Sequence, residues 1–332
     1  MTLDIIALAL SLGLILAACA VFVNAIEWFG KSLNLHQGIV GSILAAIGTA
    51  LPETIIPILA ILITGGNSGQ AIGIGAIAGA PFMLGTLGFF VTGTAVIVNK
   101  LLRRRTLAMR VDTTILSRDL LFFFVFYSIA VTATFYHDIH ILKWIVALCL
   151  PASYVLYLKM TIHGKAAEIE NVEKLYATRF FKLETSVCWI TVQLIASLIL
   201  IISGAHFFVK YVELLSKELG ASPLLLSLII TPIATELPEK LNSVIWIGRK
   251  KDTLALGNIT GAMVFQSCFP AAIGMLFTEW DLRRPILVSA VCALGMALIT
   301  LVWVRITKKL HPFLLLFGGV LYAVFLLCVF NT

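Results

Sequence analysis

The chain has 332 residues, 60% of them hydrophobic and only 12% charged, with a mean hydropathy of +1.03, which excludes an ordinary soluble globular protein. The net charge of +7 invites a polyanionic partner such as nucleic acid, but the basic residues are distributed as a membrane topology signal. The expected class is an all-α integral membrane protein.

A span needs roughly 20 apolar residues to cross about 30 Å of hydrocarbon. Ten such stretches follow one another, at 3–24, 38–63, 70–98, 119–136, 141–160, 186–208, 223–247, 253–277, 285–304 and 312–330. They are called spans one to ten below. Span one lacks a basic leader and reads as a retained helix, not a signal peptide. Spans one to five form a first half, residues 1–162. The polar, mixed-charge segment 163–184 reads as a connector with an interfacial helix, and 185–332 forms the second half. The cysteines Cys19, Cys149, Cys188, Cys268, Cys292 and Cys328 all fall inside spans without a CxxC pattern and read as packing residues.

If the loop carrying Lys100, Arg103, Arg104, Arg105, Arg110 and Arg118 is cytoplasmic, ten spans fix every other loop. The cytoplasmic side then holds eighteen of the twenty-four basic residues, the outer side five, and Lys240 lies within a span. This asymmetry predicts both termini outside. With no organellar signal, the host is read as a prokaryotic plasma membrane.

The chain also repeats itself. At an offset of 186, "AIGTALPE" (46–53) falls on "PIATELPE" (232–239), so that Thr49, Leu51, Pro52 and Glu53 coincide with Thr235, Leu237, Pro238 and Glu239. "GAIAGA" (75–80) matches "GNITGA" (257–262) at an offset of 182, the difference fitting a longer hairpin at "TGGN", 64–67. Five spans per copy is an odd number. The copies therefore cross the membrane in opposite directions, as two inverted five-helix repeats.

Pro52, Pro57, Pro232 and Pro238 interrupt the helical ladder, so spans two and seven are expected to bend or unwind near mid-membrane. Irregular backbone at that depth survives only inside protein or beside a wet cavity. Glu53 and Glu239, Thr49 and Thr235, and freed carbonyls then meet as an oxygen cage for a cation. Glu236 and Lys240, spaced i to i+4, read either as an internal neutralising pair, as an ammonium at or beside a cation position that couples to transport, or as a lysine snorkelling to the surface. With Glu53, Glu236 and Glu239 ionised and Lys240 protonated, the site carries minus two, suited to one divalent ion or to exchange of protons for a cation. Asn258 and Gln266 face the site, with Thr260 and Ser267 as weaker candidates. Asn24, His206 and Lys210 read as packing or interface residues near the ion path. The glycines of "GIGAIAG", 73–79, read as close helix packing.

"GTALPE" and "ATELPE", each followed after a hairpin by a GxxxG helix, resemble the two alpha repeats of the sodium-calcium exchanger (cation/Ca2+ antiporter) superfamily, over roughly 18–98 and 204–277. The resemblance implies a core of spans two, three, seven and eight around the ions, with spans one and six sliding across it. It also implies that Glu53 and Glu239 are the central acidic ligands, Thr49 and Thr235 the threonines before them, and Ala46 and Pro232 the backbone ligands. The chain departs from the family pattern at Ala50, Glu236, Ala80 and Leu84, and at Ala262 and Gln266. Most side chains that would build separate sodium sites are thus absent.

The expected function is a secondary antiporter exchanging Ca2+ or a related cation for Na+ or H+ without a resident cofactor, its partners being inorganic cations and the lipid bilayer. A proton-coupled monovalent cation antiporter is the alternative, and a channel a further one. An intramembrane hydrolase is disfavoured, because Asp4, Asp112, Asp119, Asp138, Asp252 and Asp281 all fall at or beyond predicted span ends, HExxH is absent, and Ser222 has no apparent histidine base.

Overall fold

The apolar runs fold as helices whose ends coincide with capping residues. In this computed structural model, which describes residues 2–32, 51–162, 174–181 and 184–330, Asp112 caps span four by accepting from the Thr114 and Ile115 amides at 2.9 and 3.3 Å. Ser186 caps span six, and Pro285 and Pro312 sit in the first turns of spans nine and ten, where a missing N–H costs little. Gly65 and Gly66, at φ +61° and +59°, form the turn between spans two and three, at the hairpin that the repeat offset predicts.

All regular structure among the described residues is helical. Eight stretches are long and apolar enough to cross a bilayer, and shorter apolar helices at Pro52–Thr64 and Pro223–Ile233 belong to spans two and seven. The protein is a multi-pass integral membrane protein. Spans one and six overrun their predicted ends at 24 and 208, forming helices Thr2–Ser32 and Val187–Leu219. A hydropathy reading stops where charge begins, but the helix does not; Glu213 and Lys217 form an i,i+4 ion pair at 2.8 Å on the extension of span six. Span four is also longer, starting at Thr113. This corrects the placement of Asp119 at a span end: it lies nearly two turns inside the helix and is buried.

Loop pairings agree with the parity of ten crossings. Arg105, between spans three and four, is held bidentately by Asp252 at the start of span eight, at 2.7 and 2.8 Å, and donates to the Ile247 carbonyl at the end of span seven. At the opposite face, Thr134 and Lys143, flanking the turn between spans four and five, donate to the Trp280 and Thr278 carbonyls between spans eight and nine. Each pairing joins loops that an inverted plan places on one side.

Spans one and six pack against each other along their length, forming an apolar cluster around Ile15, Phe22, Ile201 and Phe208. Span three packs on the first half of span seven. Gly75 and Gly79 permit this: a Cβ at either would collide with backbone, at Gly79 with the Leu228 carbonyl and with Pro232. The GxxxG reading as close helix packing is thus realised.

Candidate functional site

Span seven breaks where its prolines dictate. Helix Pro223–Thr235 ends at Glu236, whose φ and ψ of −94° and 7° leave the helical region, and a second helix runs Leu237–Gly248. Span two is described from Leu51; Glu53 lies in the first turn of helix Leu51–Leu59, which widens into a π-helical stretch at Ala60–Thr64. Thr49 and the Ala46 carbonyl lie outside the described residues.

The described stretches of spans two and seven bring acidic side chains of both repeats into one buried region. Glu53 and Glu239 are each 5% exposed and Glu236 is fully buried. Glu53 lies within electrostatic reach of Glu239, Glu236 and Lys240. From span eight, Gln266 donates to Glu236 Oε1 at 3.3 Å. Lys240 Nζ lies 3.3 Å from Glu236 Oε2 and 3.4 Å from the Pro232 carbonyl, so Lys240 turns inward to Glu236 and not to the surface. Thr235 is buried and donates to the Thr231 carbonyl at 3.1 Å.

Three oxygens in this region have no hydrogen-bond partner among the described residues: Glu53 Oε1, Glu239 Oε2 and Gln266 Oε1. All three are acceptors, and all are buried. An unpaired buried acceptor costs about 1–3 kcal/mol, and a cation or a proton is the partner that such a set lacks. Among the described residues no three His, Cys, Asp or Glu side chains close around one point tightly enough to hold a metal ion. Glu236 is instead engaged by Lys240 and Gln266.

The remaining sequence candidates separate cleanly. Asn258 donates to the Glu239 backbone carbonyl at 3.2 Å and so braces the turn that carries Glu239. Thr260 points elsewhere, to Asp119 Oδ2 at 2.9 Å, and Ser267 bonds back to the Val264 carbonyl. His206 and Lys210 are exposed. Asn24 accepts from the Tyr176 amide and from Gln193 Nε2, both at 3.0 Å, while Gln193 Oε1 accepts from the Ala177 amide at 2.7 Å. Two buried amides therefore clip the connector helix Tyr176–Phe181 onto spans one and six.

Sequence reasoning passed over two features. Ser227 and Thr231 extend a polar stripe with Thr235 at four-residue spacing, and Ser227 donates to the Ile72 carbonyl of span three at 2.7 Å; that spacing was the available signal. Asp119 accepts from Arg118, Tyr157 and Thr260, three partners from three helices that nothing in the local sequence announces. A cavity of about 400 Å³ opens among Asn67, Gln70, Ser222, Glu279 and Asp281. None of Glu53, Glu236 and Glu239 lines it.

A family model described as sodium/calcium exchanger protein matches residues 3–162 and 189–331. The "Uncharacterized membrane protein MJ0091" of Methanocaldococcus jannaschii is 26% identical over 258 residues, 77% of this chain and 76% of that protein. Among solved structures, the H+/Ca2+ exchanger CAX superimposes with a TM-score of 0.71 at 16% identity, covering 98% of this chain and 81% of that one. The sodium-calcium exchanger NCX_Mj, soaked with Na+ and Sr2+, gives a TM-score of 0.58 at 21% identity, covering 100% and 99%.

Proposed function

Because the chain belongs to the sodium/calcium exchanger protein family, we propose that it is a secondary antiporter that carries Ca2+ or a related cation across a prokaryotic plasma membrane in exchange for protons. The observation that carries this reading is the set of buried acceptor oxygens, contributed by both repeats, that have no hydrogen-bond partner among the described residues: Glu53 Oε1, Glu239 Oε2 and Gln266 Oε1. Oxygen donors of this kind suit a hard cation. Glu53 and Glu239 are the principal ligands, with Thr49, Thr235 and the carbonyl of Ala46 completing the cage; the Pro232 carbonyl, expected as a further ligand, is taken by the Glu236 amide at 3.2 Å and by Lys240 Nζ at 3.4 Å. The cation is cargo, and no resident cofactor is needed.

Three carboxylates against one ammonium leave minus two when all are charged, matched either by one divalent ion or by protons. Protonation of the carboxylates and binding of the cation therefore compete. Proton exchange is favoured over sodium because Leu84 and Ala80 stand where polar ligands would be needed for separate sodium sites. Alternating access falls to spans one and six, which pack on one another as a pair.

The test is calcium-45 uptake by purified protein in sealed vesicles, driven in turn by a proton gradient and by a sodium gradient. Uptake under the proton gradient, lost in both Glu53→Gln and Glu239→Gln, is the expected result. Uptake under sodium alone would replace the counter-ion; no calcium flux under either gradient would retire calcium as the cargo.

A further inference from the structure

The two copies of the repeat differ by a pair of charges. At the offset of 186, Glu236 corresponds to Ala50 and Lys240 to Thr54, so an acid and a base are present together in one copy and missing together from the other. The ammonium does more than neutralise the carboxylate. Its Nζ is shared between Glu236 Oε2 at 3.3 Å and the Pro232 carbonyl at 3.4 Å, and the second of these is a backbone oxygen at the helix break. A carboxylate oxygen and a carbonyl oxygen are the donors from which a site for a small monovalent cation is made. Both distances exceed the 2.7–2.9 Å of a tight charge-assisted hydrogen bond. The ammonium thus lies between two acceptors and is held tightly by neither. The Lys240 side chain is 13% exposed and that of Glu236 is fully buried, which puts this contact inside the protein.

We propose that Lys240 is a tethered cation: its ammonium fills, from within the chain, a monovalent-ion position between Glu236 and the Pro232 carbonyl, so that no separate monovalent ion binds there during exchange. This rests on the reading of the region as a cation site. Its consequence is that neutralising Lys240 exposes an unfilled position of one negative charge.

Equilibrium binding of sodium-22 and of calcium-45 to the purified full-length protein tests this. Lys240→Gln is expected to gain a saturable sodium-22 site that the unchanged protein lacks. Lys240→Arg, which keeps the charge, is expected not to gain it, and neither is Glu236→Ala/Lys240→Thr, which installs the residues of the first copy. A folded Lys240→Gln that binds no more sodium-22 than the unchanged protein would overturn the proposal. Should that variant fail to fold, the unchanged protein still decides: a saturable sodium-22 site that disappears in Glu236→Gln would show that Glu236 already holds a free ion and that Lys240 does not replace one. Absence of calcium-45 binding, with the sodium site still gained in Lys240→Gln, would sink calcium as cargo and leave the tethered cation standing.

Discussion

Spans two and seven carry the same motif, yet the chemistry around it differs between the repeats. In sequence, Ala50 and Thr54 stand around Glu53 where Glu236 and Lys240 stand around Glu239, and Leu84 occupies the position on span three that Gln266 takes on span eight. Glu239 shares its helix turn with Glu236 and Lys240. The supporting helices differ as well: span three opens into a π-helical stretch at Leu84–Gly88, whereas span eight is α-helical from Asp252 to Phe277. What the repeats have in common in sequence is the Pro52/Pro238 pair and the GxxxG glycines, Gly75 and Gly79 matching Gly257 and Gly261, although only the first pair of glycines meets a neighbouring backbone closely. What they do not share is the set that sets local charge. A buried site needs only a correct total charge, which one copy can adjust alone.

The sharpest way to break this comparison is to remove its shared element. Glu53→Gln and Glu239→Gln are each expected to reduce calcium-45 uptake by at least ~100-fold, the upper end of what losing even an outer-shell partner costs a metal site. A variant of either that kept transport would show that the copies are not equivalent. Lowering the external pH is expected to weaken calcium binding in the unchanged protein, because protons and the cation compete for the same carboxylates; calcium-45 binding isotherms at several pH values would expose a site indifferent to protons.

Next in size is the contact that joins the halves. Arg105→Ala leaves Asp252 buried without its ion partner and is expected to destabilise by about 3–5 kcal/mol. Removing both charges in Arg105→Ala/Asp252→Ala should cost less than the single change, as read by thermal unfolding in detergent.

Gln266→Leu makes the second copy resemble the first. It removes the hydrogen bond to Glu236 Oε1, worth about 1.5–3 kcal/mol when the acceptor is charged, and should weaken calcium-45 binding correspondingly. An unaltered affinity would mean that Gln266 serves structure alone. The smallest effect is expected from Gly79→Ala, where the added methyl meets the Leu228 carbonyl and Pro232. Separating spans three and seven to admit it should cost about 1–3 kcal/mol, visible as a lowered unfolding temperature.

Much of this was legible in the chain. Hydropathy marks the spans, the recurring T-x-L-P-E marks the inverted repeat, and the prolines mark the break at Glu236. The inward turn of Lys240 belongs to two of the three readings that sequence left open, because an i,i+4 spacing across a proline does not fix where a long side chain goes. Other features left no trace. The π-helical stretches change hydrogen-bond register without changing hydropathy. The Asn24–Gln193 pair spans 169 positions, and Asp119 finds Tyr157 and Thr260 38 and 141 positions away. Local pattern carries no information about such partners.

The ion pair between Arg105 and Asp252 also bears on how the molecule is made. Arg105 is synthesised before spans four to seven, and Asp252 only after them. Four crossings separate the two residues, so they reach the same face of the bilayer only if an even number of the intervening helices has inserted. A skipped helix, or a second half threaded the wrong way, strands each charge on its own side. The pair thus acts as a parity check on membrane insertion: it closes when the crossings come out even and leaves an unpaired charge at the protein edge when they do not.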